Sequence, residues 1–290
     1  MTRILLLGGT GQVGFELYRS LALSGRILAP NRERLNLCDL SSVDAYLEQF
    51  KPNVIINAAA YTAVDAAESD RAIALHLNGR LPELLAAYCA HHGAKLVHFS
   101  SDYVFSGADG KAWSETDSAA PVNYYGETKL VGDKAIEASG CDYLNFRTSW
   151  VYSARGTNFM KTMLRLAKEK AELKIVKDQI GAPTPARLIA QVVNLSLQQN
   201  LAKGVYHLAP QGSCSWYDFA VEIFEQSELF GHQLKVTDVQ GILSSDYPTA
   251  AKRPFNSRLN SVKLEQALGI SLPSWQQQLE LTLHEYLETL

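Results

Sequence analysis

The chain has 290 residues, enough for one large domain or two modest ones with sizeable cores. Apolar residues make up 47% and charged residues 20%, an ordinary globular balance, and the net charge of −3 argues against a nucleic-acid or anionic-membrane partner. No apolar run approaches the ~18–20 residues of a membrane span. The first residues have neither the length nor the cleavage region of a signal peptide. Cys38, Cys89, Cys141 and Cys214 are far apart in sequence and form no C-x-x-C pair. That spacing argues against a metal cluster or disulfide framework and fits a reducing, cytoplasmic location.

Ile4–Leu7 reads as a buried strand, followed by a helix over Gln12–Leu23. Between them lies Gly8-Gly9-Thr10-Gly11-Gln12-Val13-Gly14. Glycines at this spacing permit a tight turn, close approach of a pyrophosphate and close helix–strand packing. The helix N-terminus then presents free N–H groups and a positive dipole to the phosphates. Gly8, Gly11, Gln12 and Val13 are therefore cofactor candidates.

Ile27–Ala29 is a second strand and runs out through Pro30-Asn31-Arg32-Glu33-Arg34. An NAD-binding chain usually carries an acid at that strand end, for the ribose 2′-hydroxyl. Here none is present. Guanidinium groups suit a 2′-phosphate, so Asn31, Arg32 and Arg34 point to NADPH, with NADH acceptance open. The alternative is that the two arginines are solvated loop charges. Ser41–Phe50 reads as a helix begun by a capping serine. Asp39-Leu40 and Asn57–Ala60 read as strand-end segments, where ligands bind in open α/β sheets. Asp39 is suited either to the adenine amino group or to capping the helix near Ser41.

Val54–Ala58 is a strand, Ala72–His91 a long helix and Leu96–Phe99 a strand. Tyr124–Ala138 reads as a helix and Tyr143–Arg147 as a strand. The helix carries Tyr125-Gly126-Glu127-Thr128-Lys129, which sets a phenol and an ammonium one turn apart on one face. A nearby cation would lower the phenol pKa from its usual ~10 and make a usable proton donor. Apolar strands alternating with helices mean βαβ units and a parallel sheet covered on both faces.

After Trp150 the rhythm loosens. Helices are expected over Asn158–Lys170, Arg187–Gln199 and Trp216–Ser227, with strands at Leu173–Val176 and Gly204–Leu208. Ile180-Gly181-Ala182-Pro183-Thr184-Pro185 cannot be helical. Turns at Tyr247-Pro248 and Arg253-Pro254 precede a final helix. The expected class is α/β: a Rossmann-like, doubly wound parallel sheet with a smaller mixed α/β substrate-binding lobe. Residues 1–150 form the dinucleotide-binding part, with about 185–206 returning to it. Residues 151–290 form mainly the second lobe.

The glycine-rich turn, Asn57–Ala60, Ser100-Ser101-Asp102-Tyr103 and Tyr125-x-x-x-Lys129 occur in this order. In that order they resemble the extended short-chain dehydrogenase/reductases. Several segments look, more narrowly, like the dTDP-4-dehydrorhamnose reductase family. They are Asn57–Asp65, Ser101–Phe105, Arg147–Tyr152, Asp178–Thr184 and Arg253–Leu259. The likeness spans nearly the whole chain.

It implies reduction, by a nicotinamide cofactor, of the C4 ketone of a dTDP-sugar held between the lobes. In that picture Tyr125 protonates the new C4 oxygen. Lys129 holds the nicotinamide ribose and lowers the tyrosine pKa, and Ser101 hydrogen-bonds the ketone. Gly11, Gln12 and Val13 contact pyrophosphate, Ala60, Tyr61 and Thr62 line the cofactor, and Asp102 and Trp150 face the sugar nucleotide. Trp150 also fits plain core packing. Arg253 and Arg258 fit either the diphosphate or structural salt bridges.

Other readings stay open: a UDP-linked substrate, the C4-epimeric product, or a non-catalytic subunit similar to the regulatory subunit of methionine adenosyltransferase. A homodimer is open too. The family resemblance also implies, in some members, magnesium held by three glutamates at a subunit interface. Glu16 and Glu285 match two of those positions, but Arg187 stands at the third, where it would repel a cation. Either an ion pair of Arg187 with the two glutamates replaces the metal's charge, or the chain does not use that interface and all three are solvated surface charges; the sequence leaves both open.

Overall fold

The computed structural model describes residues 1–108 and 110–289. In chain order the elements are β1 (Arg3–Leu7), α1 (Gln12–Ser20), β2 (Arg26–Leu28), α2 (Leu40–Phe50), β3 (Val54–Asn57), α3 (Arg71–Leu75), α4 (Leu81–His92), β4 (Lys95–Ser101), α5 (Tyr124–Ala138) and β5 (Asp142–Thr148). They continue as β6 (Val151–Tyr152), α6 (Phe159–Glu169), β7 (Glu172–Val176), β8 (Ile180–Gly181), β9 (Thr184–Pro185), α7 (Ala186–Gln198), β10 (Gly204–His207), β11 (Cys214–Ser215), α8 (Trp216–Leu229), β12 (Asp238–Ile242), α9 (Val262–Leu268) and α10 (Trp275–Leu287).

Six strands form one parallel sheet in the order β10-β5-β4-β3-β1-β2. Side chains alternate across a strand, so β1 supplies both faces. Ile4 and Leu6 pack with α1, α7 and α9 through Leu17, Leu21, Ile189, Val193, Leu264 and Leu268. Leu5 and Leu7 pack with α2, α4 and α5 through Val43, Leu47, Leu85 and Ile136. A separate core joins α6, α8 and α10 around Met163, Leu164, Phe219, Ile223, Leu279 and Leu283. The chain passes from β2 across β1 to β3, so the strand order reverses beside β1. In open α/β sheets a crevice at the strand C-termini forms at such a reversal.

The expected elements form, with several differences. The helix after the glycine turn stops at Ser20, and turns follow to Ser24. Asp39, rather than a serine, caps α2, and it sits at a helix start instead of a strand end. The long helix over 71–92 contains a π-helical turn at His76–Arg80, just before Pro82. The two-residue strands β6, β8, β9 and β11 had no sequence counterpart, and neither did β12 or α9. β12 contains a glycine and pairs with β7, at the margin of the second core. α9 has seven residues, which is too short for periodicity to show.

Candidate active site

A cleft of about 940 Å³ opens over the C-terminal ends of β1, β3 and β4. Its back wall is the glycine-rich turn. Gly8 has φ +77°, and a Cβ there would lie 2.6 Å from the Ala58 carbonyl carbon and oxygen. A Cβ on Gly14 would sit 2.1 Å from the Gly8 oxygen. Both positions therefore require glycine. Gly11 N–H closes the turn onto Gly8 O at 2.9 Å, and Gly11 is the side-chain-free N-cap of α1. Val13 lies on the same wall. The Gln12 side chain is held elsewhere: its Oε1 accepts from Ser153 Oγ (3.0 Å) and Asn158 Nδ2 (2.8 Å). The Gln12 side-chain oxygen is therefore already engaged, and its main chain begins α1 at the turn.

At the β2 end of the cleft, three of the candidate residues do not line it. Asn31 and Arg32 line the cleft, with Leu37 and Cys38. Arg34 and Asp39 do not. Asp39 Oδ1 accepts from the Ser41 and Ser42 N–H groups at 3.1 and 3.2 Å, and Oδ2 accepts from Ser42 Oγ at 2.6 Å. These hydrogen bonds, the Ser42 hydroxyl first, hold its pKa below the usual value. The carboxylate therefore takes the capping role, one of the two expected for it. Leu40 begins α2 and packs into the apolar core.

On the opposite wall Ala60 and Thr62 face the cleft. Tyr61 turns away, donating its hydroxyl to Asp70 at 2.6 Å. Its main chain is gripped by Asn78, whose Oδ1 accepts from Tyr61 N (2.9 Å) and whose Nδ2 donates to Tyr61 O (3.0 Å) and Thr128 Oγ1 (3.1 Å). Asn78 sits in the π-helical turn, so that irregularity holds the wall loop against α5. The sequence offered no signal for it.

The floor carries the reactive groups. Asn123 caps α5, accepting from Gly126 N at 2.8 Å. Gly126 lets α5 press against the 102–104 turn, since a Cβ there would meet Tyr103 O at 2.1 Å. Tyr125 and Lys129 then face the cleft from successive turns. Lys129 is 1% exposed, and its Nζ donates to the Phe99 carbonyl. Burial pulls its pKa down to about 8, against the opposing pull of Asp133. Burial also pushes the Tyr125 phenol well above its usual pKa, opposed by a Ser101 hydrogen bond. The expected lowering by the lysine does not appear: burial sets the shift, and the Asp102 and Asp133 carboxylates add to it.

Ser101 Oγ accepts from Tyr103 N (3.1 Å) and donates to Asp102 Oδ1 (2.9 Å). Asp102 is 2% exposed, and burial raises its carboxyl to about 6 despite hydrogen bonds from Ser257 and Ser101. Trp150 holds a left-handed φ of +49° and stacks on Trp216 at 3.5 Å, both on the cleft wall. Arg253 Nη2 pairs with Asp65 Oδ2 at 2.7 Å. Arg258 instead braces Asn256 Oδ1 and the Gly110 carbonyl, away from this cleft. Among the described residues, three buried cleft atoms are left without a hydrogen-bond partner: Asp102 Oδ2, Thr148 Oγ1 and Arg253 Nη1. Such atoms are costly unless a ligand satisfies them. Thr148 and Trp216 join the site through β5 and α8 and were not expected from sequence.

A dinucleotide fits this cleft by its glycine wall, its uncapped helix N-terminus and its unpaired polar atoms. Magnesium does not fit the three-residue set expected from the family. Arg187 Nε lies 3.3 Å from Glu16 Oε2, and Nη2 lies 2.8 Å from Glu285 Oε2. The guanidinium joins α1, α7 and α10 within one chain, between the two carboxylates.

Comparison with known proteins agrees with this geometry. The chain is 43% identical to dTDP-4-dehydrorhamnose reductase of Escherichia coli K12, covering 99% of this chain and 98% of that one. It is 44% identical to the protein of that name from Salmonella typhimurium LT2, covering 94% of each. The structure of dTDP-4-dehydrorhamnose reductase from Bacillus anthracis in complex with NADP superposes with TM-score 0.91 at 34% identity, covering 98% of this chain and 100% of that one. Thermus thermophilus UDP-glucose 4-epimerase, at 18% identity and TM-score 0.83 over the full length of both chains, shares the fold alone. The RmlD substrate-binding-domain model matches residues 1–288, and the chain belongs to that family.

Proposed function

We propose that this protein reduces the C4 ketone of dTDP-4-dehydro-β-L-rhamnose with NADPH, giving dTDP-L-rhamnose. The observation that carries the reading is the convergence of Tyr125, Lys129, Ser101 and Asp102 on one buried floor beside the glycine turn. Full-length identity to reductases of that name supports it.

The cofactor, when bound, supplies the hydride that reaches C4. The ketone oxygen then gains negative charge, and donors aimed at it stabilise that change. Tyr125 gives its proton to this oxygen. Its raised pKa keeps it protonated across the neutral range, so the donor is always loaded. Ser101 turns its hydroxyl from Asp102 toward the same oxygen. Lys129 holds the nicotinamide ribose while anchored on Phe99 O. Gly8, Gly11, Gln12 and Val13 hold the pyrophosphate, and Arg32 with Asn31 takes the 2′-phosphate. Ala60 and Thr62 line the nicotinamide side. Asp102, Trp150 and the free Nη1 of Arg253 engage the sugar nucleotide, with Trp216 backing Trp150. The sheet and its helix layers thus serve the cofactor, and Trp216 at the start of α8 brings the second core to the sugar side of the cleft.

The test is NADPH oxidation by purified protein with dTDP-4-dehydro-β-L-rhamnose, followed by NMR of the product. Formation of dTDP-L-rhamnose is expected. Absence of turnover, or a C4-epimeric product, overturns the reading.

A further inference from the structure

One buried carboxylate next to the reactive pair has no part in the chemistry above. Asp133 follows Lys129 by one turn of α5, as Lys129 follows Tyr125, so the three form one stripe along the helix. It is 1% exposed. Its Oδ2 accepts from Ser100 Oγ at 2.9 Å and Arg147 Nε at 3.2 Å, and its Oδ1 accepts from Asn145 Nδ2 at 2.9 Å. Ser100 lies on β4 and Asn145 and Arg147 on β5, in adjacent register, so the sheet fixes this carboxylate from below. Phe99, whose carbonyl takes the Lys129 ammonium, neighbours Ser100 on the same strand.

We propose that Asp133 is a positioning residue for the reaction, holding the buried Lys129 charged and aimed at the cofactor ribose. This rests on the reductase reading above. An isolated buried ammonium tends to lose its proton, and a fixed carboxylate one turn away opposes that loss. The attraction of Asp133 does act on Lys129 in this direction. The other charged or titratable groups around it are placed differently. His98 on β4 is held neutral by burial and by Lys129 itself. Asp102 lies beside Tyr125, and its own burial favours protonation. Arg147 on β5 is a cation. Glu68 receives Tyr124 N, and Glu127 pairs with Arg71 on the exposed side of the helix.

The experiment is the pH profile of kcat for the wild type, Asp133→Asn and Arg147→Met, with dTDP-4-ketosugar and NADPH. Loss of the Lys129 proton sets the alkaline limb. Asp133→Asn should move that limb down by about one pH unit or more, the scale of a close opposite charge. Arg147→Met frees the carboxylate from its competing cation and should move the limb up. The paired, opposite signs keep the test independent of any loss of stability, which thermal melts record separately. If both variants melt earlier while their limbs stay at the wild-type pH, Asp133 is only structural and the proposal falls. Wild-type turnover is the internal control: its absence refutes the reductase reading, whereas normal turnover with unmoved limbs refutes the role of Asp133 alone.

Discussion

Asp102 makes the site less stable than it would be without a charge there, and the size of the effect follows from its surroundings. The side chain is 2% exposed, and burial lifts its carboxyl from 3.8 to about 6. A tenfold change in proton affinity corresponds to ~1.4 kcal/mol between protonation states. The folded protein therefore binds the proton more tightly than the unfolded chain. The stability associated with the protonated form is complete below pH ~4 and is lost as pH rises through about 6. At pH 8 the ionised group should lower stability by ~3 kcal/mol. Asp102→Asn keeps the shape and the hydrogen bond from Ser101 but removes the charge. Its melting temperature should match the wild type near pH 4 and exceed it at pH 8, at about 2 °C per kcal/mol for a chain of this size. Turnover should fall in the same variant, because the sugar loses its charged partner. Thermal melts of both proteins from pH 4 to 8 measure the difference. An equal offset at every pH, or a variant that becomes less stable as pH rises, would refute the argument.

Tyr125→Phe should lower kcat by about 10² or more, since it removes a general acid. NADPH affinity and the edge-on packing against Tyr103 at 5.7 Å should persist, and steady-state kinetics with near-normal turnover would contradict the assignment. Arg32→Ala should raise KM for NADPH much more than for NADH, whereas Arg34→Ala, lying off the cleft, should change neither; equal effects on both cofactors would make Arg32 a solvated charge. The Arg187 bridge predicts activity and melting temperature indifferent to EDTA. Arg187→Glu should cost about 1–2 kcal/mol by losing two partly exposed pairs, and magnesium should restore the loss; a wild type inactivated by EDTA and rescued by magnesium would refute the bridge.

Features set by near neighbours in the chain were legible before any fold was known. The glycine turn is legible because its demands act within seven residues: Gly8 needs its φ and Gly14 its closeness to Gly8. Tyr125 and Lys129 are legible because helical periodicity puts them on one face whatever the fold. Aligning Glu16, Arg187 and Glu285 with a family pattern left an ion pair and separate charges both open, and the folded chain brings the three together within one chain. Features that need distant segments to meet came from the folded chain. Asp39 suited either a cofactor or a helix cap and the fold uses it as a cap, while Arg34 looked like a cofactor group and does not line the cleft. Asn78 serves the site through a π-helical turn that no period reveals. Trp216 reaches Trp150 across 66 residues, and Asp65 reaches Arg253 across 188. The phenol pKa also went against the motif. Two side chains one turn apart suggest an attraction, but only the packed interior sets the desolvation and the neighbouring carboxylates, and here these raise the phenol pKa.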